Sequence, residues 1–229
     1  MRPVAYDLAG TACEGLVSDA EGARIGVIVF PTVAGVSDHE RDAAARLNAM
    51  GHTAFVADLY GTDTRDLPRE AKFGLMNGLK ADRAALRETL LAVRDVATAQ
   101  PEFAGLRLAA AGFCFGGLCA LDLARSGADL VAAASFHGLL TPSGIANPPI
   151  AARIAAFHGW DDPLARPDDV AAFGREMDAA GADWQLHAYG GTVHAFTNPQ
   201  ANDKPGGMAY NAAATRRAWG SLQSLLEET

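Results

Sequence analysis

The chain is poor in cysteine, in aromatic residues and in positive charge, and it has no long apolar run. Its three cysteines form no CxxC pair, which argues against a disulfide framework and against a cysteine-built zinc site. Its 19 basic residues against 27 acidic ones give a net charge of −8, which argues against nucleic-acid binding. No apolar run is long enough for a membrane-spanning helix, and the first residues lack a signal-peptide pattern. We therefore expect a cytoplasmic protein that binds neither nucleic acid nor membranes.

What is present indicates a folded α/β domain. The apolar fraction of 49% and the charged fraction of 20% exclude a disordered chain, and the absence of repeats or long linkers predicts one domain over 1–229. Buried strands are predicted at 24–30, 53–59, 106–113, 130–136, 150–157 and 184–189. Helices are predicted between them at 37–51, 68–99, 118–125, 168–180 and 208–226. This alternation predicts a mostly parallel, doubly wound sheet with helices on both faces and a site at the carboxyl ends of its strands.

A Gly-x-Cys-x-Gly-Gly motif at 112–117 follows the strand predicted at 106–113. It has the pattern of a nucleophile elbow with cysteine in the usual place of serine. A sharp turn there holds the nucleophile in a strained backbone conformation, and the glycines let strand and helix approach closely. The turn also puts Cys114 at a helix N-terminus, where backbone N–H groups stabilise a thiolate. The alternative interpretation is a buried cysteine in a glycine-rich turn.

Acidic and basic partners for Cys114 follow two later strands. Asp161 and Asp162 come after the strand predicted at 150–157, and His194 comes after the strand predicted at 184–189. The chain order of nucleophile, acid and base is that of α/β-hydrolases. Because these residues all follow strands of one predicted sheet, we expect them at the same edge, as a catalytic triad.

At these positions the sequence resembles the dienelactone hydrolase family of the α/β-hydrolase fold, from about Arg24 to the last helix. The segment 112–117 is similar to that family's cysteine elbow, and 158–163 is similar to its His-Gly-x-x-Asp-Pro acid turn. The segment from Tyr189 to Phe196 is similar to its histidine loop. The spacing of the acid turn selects Asp162 over Asp161, whose alternative role is that of a turn residue bonded to its own backbone.

The resemblance implies cleavage of an ester or lactone through an acyl-thioester on Cys114. His194 then shuttles the proton, and Asp162 fixes the tautomer and orientation of His194. The backbone N–H groups of Phe115 and Val33 are implied to form the oxyanion hole. The resemblance further implies a monomer that needs no cofactor, and the spacing of His137, His158 and His194 matches no metal-binding signature.

Two positions depart from the family pattern. Thr32 stands where the founding enzymes have a glutamate that helps the cysteine to ionise, so we expect Cys114 to depend on His194 and the helix N-terminus. Asn198 stands where those enzymes have an arginine that binds the substrate carboxylate, and a neutral amide gives no charge-assisted fork. We therefore expect a neutral or activated ester or lactone. The residues expected to line the substrate site are Thr32, His137, Trp160, Phe196 and Asn198.

Several alternatives stay open in the sequence. Arg69 or Lys72 could supply positive charge to the site, but the pattern places neither. The same scaffold could carry a non-hydrolytic thiol protein, an acyltransferase, or a side activity on activated phosphotriesters. We expect Cys119 to be a buried apolar residue inside the helix after the elbow, and Cys13 to be exposed in a polar N-terminal segment.

Overall fold

The structure is a computed structural model that describes residues 1–229. Its main sheet has eight strands: β1 (Arg2–Leu8), β2 (Thr11–Ser18), β3 (Ile25–Phe30), β4 (Thr53–Val56), β5 (Arg107–Phe113), β6 (Ala132–Phe136), β7 (Arg153–Gly159) and β8 (Trp184–Tyr189). Their spatial order is β1-β2-β4-β3-β5-β6-β7-β8. Strands β3 to β8 pair in parallel, while β1 and β2 form a hairpin that joins β4 in the antiparallel direction. The predicted mostly parallel sheet is confirmed, and the antiparallel hairpin is an addition to it.

Six α-helices cover the two faces of this sheet: α1 (Asp38–Ala49), α2 (Arg69–Ala81), α3 (Arg83–Thr98), α4 (Phe115–Arg125), α5 (Pro167–Ala179) and α6 (Ala212–Glu227). Successive residues of β3 point to opposite faces. Ile28 belongs to the apolar core built with α3, α4 and α5, whereas Val27 and Val29 belong to the core built with α1 and α6. This arrangement confirms the doubly wound α/β fold, with the carboxyl ends of the central strands meeting at one edge.

The predicted helix at 68–99 is in fact two helices that meet at Asp82. The backbone of Asp82 is extended, and its carboxylate accepts hydrogen bonds from the amides of Ala84 and Ala85. An aspartate in this role caps a new helix instead of continuing the old one. The last helix begins later than predicted, at Ala212, because residues before it form two short paired strands, β9 (Asn202–Asp203) and β10 (Met208–Ala209).

The prediction that Cys13 is exposed is wrong. Cys13 lies in β2, which is hydrogen-bonded between β1 and β4, and only 2% of its surface is exposed. Burial raises the pKa of its thiol to about 12, so it stays protonated. Cys119 is fully buried in α4, as predicted. None of the helices is both long and apolar enough to cross a membrane.

Candidate active site

Cys114 lies in a tight turn between the end of β5 and the start of α4. Its backbone has φ 56° and ψ −116°, a left-handed conformation that is strained for any residue with a Cβ. The flanking glycines make the turn possible: a Cβ on Gly112 would lie 1.9 Å from the carbonyl oxygen of Gly116, and a Cβ on Gly116 would lie 2.1 Å from that of Phe30. Cys114 is the only one of the three cysteines that is not fully buried.

The acid turn after β7 and the histidine loop after β8 bring two buried side chains together. His194 Nδ1 donates a hydrogen bond of 2.7 Å to Asp162 Oδ2. The second carboxylate oxygen of Asp162 accepts the amide of Leu164 at 2.8 Å. His194 and Asp162 are 2% and 3% exposed, whereas Asp161 points its side chain to solvent. The structure therefore puts Asp162, and not its neighbour, behind the histidine.

The backbone of His194 is held on both sides by the turn that joins β9 to β10. Its N–H donates to the carbonyl of Gly207 at 3.0 Å, and its carbonyl accepts the amide of Ala209 at 3.1 Å. The ring is oriented by the bond from Nδ1 to Asp162, and Nε2 makes no hydrogen bond within the chain. Nε2 is thus the ring atom available to the cysteine side of the cavity.

The surroundings of His194 favour its protonated form. Burial acts to lower its pKa, but the hydrogen bond with Asp162, the nearby Cys114 and the charge of Asp162 raise the pKa to about 10. His137, whose ring centroid lies 5.0 Å from that of His194, behaves in the opposite way. Burial and the nearby His194 charge hold the pKa of His137 well below its usual value, so this ring stays neutral.

The loop after β3 supplies a free backbone donor at Val33. The amide of Thr32 donates to Glu40 at 2.9 Å, that of Ala34 donates to the Thr32 hydroxyl, and that of Gly35 donates to the Thr32 carbonyl. Among these consecutive amides, the one of Val33 makes no hydrogen bond within the chain. Phe115 is the first residue of α4, where a backbone N–H has no partner inside the helix.

A cavity of about 550 Å³ opens at this edge of the sheet and contains Cys114 and His194 in its wall. Four residues predicted from the sequence also line it: Thr32, Val33, His137 and Asn198. The cavity is large enough for a small organic molecule. Its volume and these lining groups make it the candidate substrate site.

Two of the predicted lining residues lie elsewhere. Trp160 does not line the cavity and is 48% exposed. The acid turn directs Trp160 to solvent, whereas Asp162 points inwards to His194. Phe196 is fully buried in the core, with its ring edge-on to His137 at 5.2 Å. The Phe115 side chain is likewise buried and stacks on Tyr60, so Phe115 offers the site only its backbone.

Three charged residues also line the cavity: Arg69 and Lys72, which the sequence pattern left unplaced, and Asp203, which was not predicted. Arg69, Lys72 and Asp203 bring two positive charges and one negative charge to the cavity. The Arg69 guanidinium lies 5.4 Å from the ring of Phe73, and the Lys72 ammonium donates to the carbonyls of Ala34 and Arg65. Helix α2 carries no sequence motif, and only its position over the strand ends brings Arg69 and Lys72 to the cavity.

Sheet order, elbow turn and histidine loop together define a hydrolase of the α/β-hydrolase fold. Comparison with known sequences gives the family: residues 13–229 match the model of the dienelactone hydrolase family. The chain belongs to this family. The predicted family and fold are thereby confirmed.

Individual relatives agree with this assignment. A probable 2-oxo-3-(5-oxofuran-2-ylidene)propanoate lactonase from Bradyrhizobium sp. is 31% identical over 204 residues, which are 84% of this chain and 79% of the relative. A solved structure named m3DLH is 39% identical with a TM-score of 0.90, covering 99% of this chain and 97% of the other. A dienelactone hydrolase-like promiscuous phosphotriesterase from metagenomic libraries is 36% identical with a TM-score of 0.89 and the same coverage.

Proposed function

We propose that this hydrolase cleaves esters or lactones through a Cys114–His194–Asp162 triad. The observation that carries the proposal is the 2.7 Å hydrogen bond from His194 to Asp162, in a cavity whose wall also contains the strained Cys114. A nucleophile, a base beside it and an acid that orients the base are the parts that acyl transfer requires. In this proposal the thiolate form of Cys114 reacts beside protonated His194, whose pKa is raised.

The reaction begins when the Cys114 thiolate attacks the carbonyl carbon of the substrate. The negative charge that develops on the carbonyl oxygen is stabilised by the backbone N–H groups of Val33 and Phe115. Collapse of this intermediate breaks the carbon–oxygen bond, and His194 donates its proton to the departing alkoxide. Water then attacks the thioester while His194 takes a proton from that water. Cys114 leaves as the thiolate, so the thiolate and the protonated His194 are both restored.

The proposal of a neutral or activated substrate is based on three uncharged polar groups of the cavity wall, which also carries the positive charges of Arg69 and Lys72. The hydroxyl of Thr32 accepts a hydrogen bond from the Ala34 amide. A hydroxyl is too weak a base to take the place of a carboxylate. Asn198 presents an uncharged amide whose oxygen accepts the amide of Gln200. His137, fixed by a 2.7 Å hydrogen bond between its Nε2 and Thr197, adds a neutral ring. We further propose that the protein acts on small molecules as a monomer and without a cofactor.

Release of nitrophenol from a neutral nitrophenyl ester tests the proposal. We expect steady turnover by the wild type, loss of turnover in Cys114→Ala, and retention in the control Cys119→Ala, whose thiol is fully buried in α4. A stoichiometric burst without turnover would instead support an acyltransferase or a non-hydrolytic thiol protein. Equal slow rates in wild type and Cys114→Ala would show that Cys114 is not the nucleophile.

A second candidate activity is cleavage of activated phosphotriesters. It is favoured by the solved structure at 36% identity that is described as a promiscuous phosphotriesterase. The Cys114 thiolate would attack phosphorus and expel a nitrophenolate, and the same N–H groups would stabilise the phosphoryl oxygen. Release of nitrophenol from diethyl nitrophenyl phosphate tests this activity, and a rate unchanged by Cys114→Ala would exclude it.

A further inference from the structure

One buried acid beside the loop after β3 has no part in the proposed triad. Glu40 lies in the first turn of α1 and is fully buried. Its Oε2 accepts the backbone N–H and the hydroxyl of Ser37, the residue that caps the helix. Its Oε1 accepts the backbone N–H of Thr32 at 2.9 Å. Capping of α1 accounts for the bonds to Ser37 and not for the bond to Thr32.

The bond to Thr32 holds the backbone that carries the free donor of Val33. The carbonyl of Thr32 accepts the N–H of Gly35 at 3.1 Å. Because the peptide unit between Thr32 and Val33 is planar and trans, the Val33 N–H points away from Gly35. Val33 lines the cavity, and its N–H makes no hydrogen bond within the chain. The direction of this donor therefore depends on how the backbone of Thr32 is held.

The other bonds of Thr32 are made within its own loop. Its hydroxyl and its carbonyl accept amides that follow it by two and three residues. Only its N–H reaches another element, α1, through Glu40. Lys72 also bonds this loop, at the Ala34 carbonyl, but that contact is exposed to water and lies beyond the free donor. The buried bond to Glu40 is thus the one that fixes Thr32 relative to the rest of the fold.

The second proposed oxyanion donor needs no such support. Phe115 is the first residue of α4, so its N–H is held by the elbow and the helix together. A donor stabilises a developing oxyanion only when the two lie about 2.7–3.1 Å apart. A displacement of about 1 Å can lower the rate about a hundredfold. The donor at Val33 is therefore the one whose action depends on a supporting side chain.

We propose that Glu40 is a positioning residue of the oxyanion hole, which holds the Val33 N–H in the direction in which it meets the carbonyl oxygen of the substrate. This role rests on the proposed hydrolase function. Glu40 does not line the cavity, so it acts through Thr32 and touches no reacting atom. Its loss should slow the steps in which an oxyanion forms and leave other reactions of Cys114 unchanged.

Two reactions of Cys114 separate this role from a general effect on the fold. Hydrolysis of the nitrophenyl ester requires both the thiolate and the oxyanion donors. Alkylation by iodoacetamide requires only the thiolate: sulfur attacks the carbon that bears iodine, a carbon–sulfur bond forms, and iodide leaves. Alkylation of Cys114→Ala measures the background from the two buried cysteines.

The matched variants are Glu40→Met and Glu40→Gln, which are similar in length but differ in whether an oxygen can accept the Thr32 N–H. For Glu40→Met we expect kcat for the ester to fall about 10- to 100-fold with KM within about twofold, because the lost interaction acts in the transition state. Glu40→Gln should restore kcat to within about threefold of the wild type. Both variants should be alkylated at the wild-type rate.

Ser37→Ala is the control for helix capping. It removes one partner of Glu40 Oε2 and leaves the bond between Oε1 and Thr32 in place. We expect it to lower the stability of α1 and to keep the wild-type kcat. Glu40→Asp serves if Glu40→Met does not fold, since an aspartate keeps the charge but is one methylene too short to reach both Ser37 and Thr32. It should show the same fall in kcat.

The proposal is wrong if folded Glu40→Met or Glu40→Asp keeps the wild-type kcat. It is also wrong if alkylation falls as much as ester hydrolysis, because Glu40 would then act on the thiolate or on the whole fold. An equal loss of kcat in Ser37→Ala would assign the effect to helix capping. Turnover that depends on Cys114 but not on Glu40 leaves the hydrolase function standing, whereas turnover that does not depend on Cys114 overturns that function and this role with it.

Discussion

Two adjacent aspartates in the acid turn offer a matched pair of variants, Asp162→Asn and Asp161→Asn. The Asp162 carboxylate is buried and accepts hydrogen bonds from His194 and from the amide of Leu164. The Asp161 side chain is exposed, and only its backbone N–H is bonded, to the carbonyl of Thr192. Both exchanges remove one negative charge with little change in volume, so they differ only in position.

The contribution of Asp162 follows from the state of His194. The rise of the His194 pKa from its ordinary 6.5 to about 10 corresponds to about 5 kcal/mol in favour of the imidazolium, against the opposing effect of burial. The hydrogen bond with Asp162 is the largest of the causes that raise this pKa. Without its charge the imidazole loses its orientation and tautomer, and we expect kcat/KM for the nitrophenyl ester to fall roughly 10²- to 10⁴-fold. For Asp161→Asn we expect a change within about twofold.

The same pair of variants has a pH signature. The pKa of His194 is higher in the folded protein than in the unfolded chain, so protonated His194 stabilises the fold fully below pH 6.5. This contribution is lost as the pH rises through about 10. Asp162→Asn lowers the folded pKa, so its free energy of unfolding should fall less over this range than that of the wild type. Urea unfolding at several pH values measures this difference.

Two results would refute the reasoning. If Asp162→Asn folds with a wild-type circular dichroism spectrum and keeps its kcat/KM, while Asp161→Asn loses activity, the acid is Asp161. A loss of activity in both variants with unchanged pH dependence of unfolding would show that the turn, and not the charge next to His194, is what matters.

Two further predictions concern buried side chains that can carry charge. Glu40 is fully buried and accepts the amides of Thr32 and Ser37; Glu40→Ala leaves both donors unpaired and should lower the free energy of unfolding by about 2–4 kcal/mol, whereas Glu40→Gln should lower it less. Arg125 is 2% exposed and bonds Asp122 and Glu176. Arg125→Ala removes the cationic partner of Glu176, while Asp122 keeps its two bonds from Arg83, so the cost should be about 3 kcal/mol, and Arg125→Met should cost about the same. Urea unfolding checks both, and an unchanged midpoint would contradict either one.

Much of the fold was predictable because it depends on local patterns. The continuous apolar run at 24–30 predicts a strand buried on both faces, and β3 is that strand. The hairpin of β1 and β2 was not predicted, because the second strand becomes buried only by pairing with β4, which follows it by more than thirty residues. The break at Asp82 was also missed, since an aspartate inside an amphipathic pattern reads equally as an exposed helical residue or as a cap.

The candidate site was predictable where chemistry and chain order coincide. Cys114 lies in the predicted turn, and the spacing that selected Asp162 agrees with its hydrogen bond to His194. The prediction of lining residues failed for Trp160, because neighbours in a sharp turn point in different directions. It named Arg69 as a possible source of charge but could not place it, because nothing in its own segment shows that it enters the cavity.

The sequence by itself determined the elbow, the order of the three candidate catalytic groups and the parallel sheet that brings them to one edge. These features depend on short-range sterics, such as the glycines around Cys114, and on the period of apolar residues along the chain. Only the tertiary structure decided that Trp160 and Phe196 lie outside the cavity wall and which side chains of α2 enter the cavity. Those outcomes depend on distances between segments far apart in the chain, and such distances are set by packing of the whole fold.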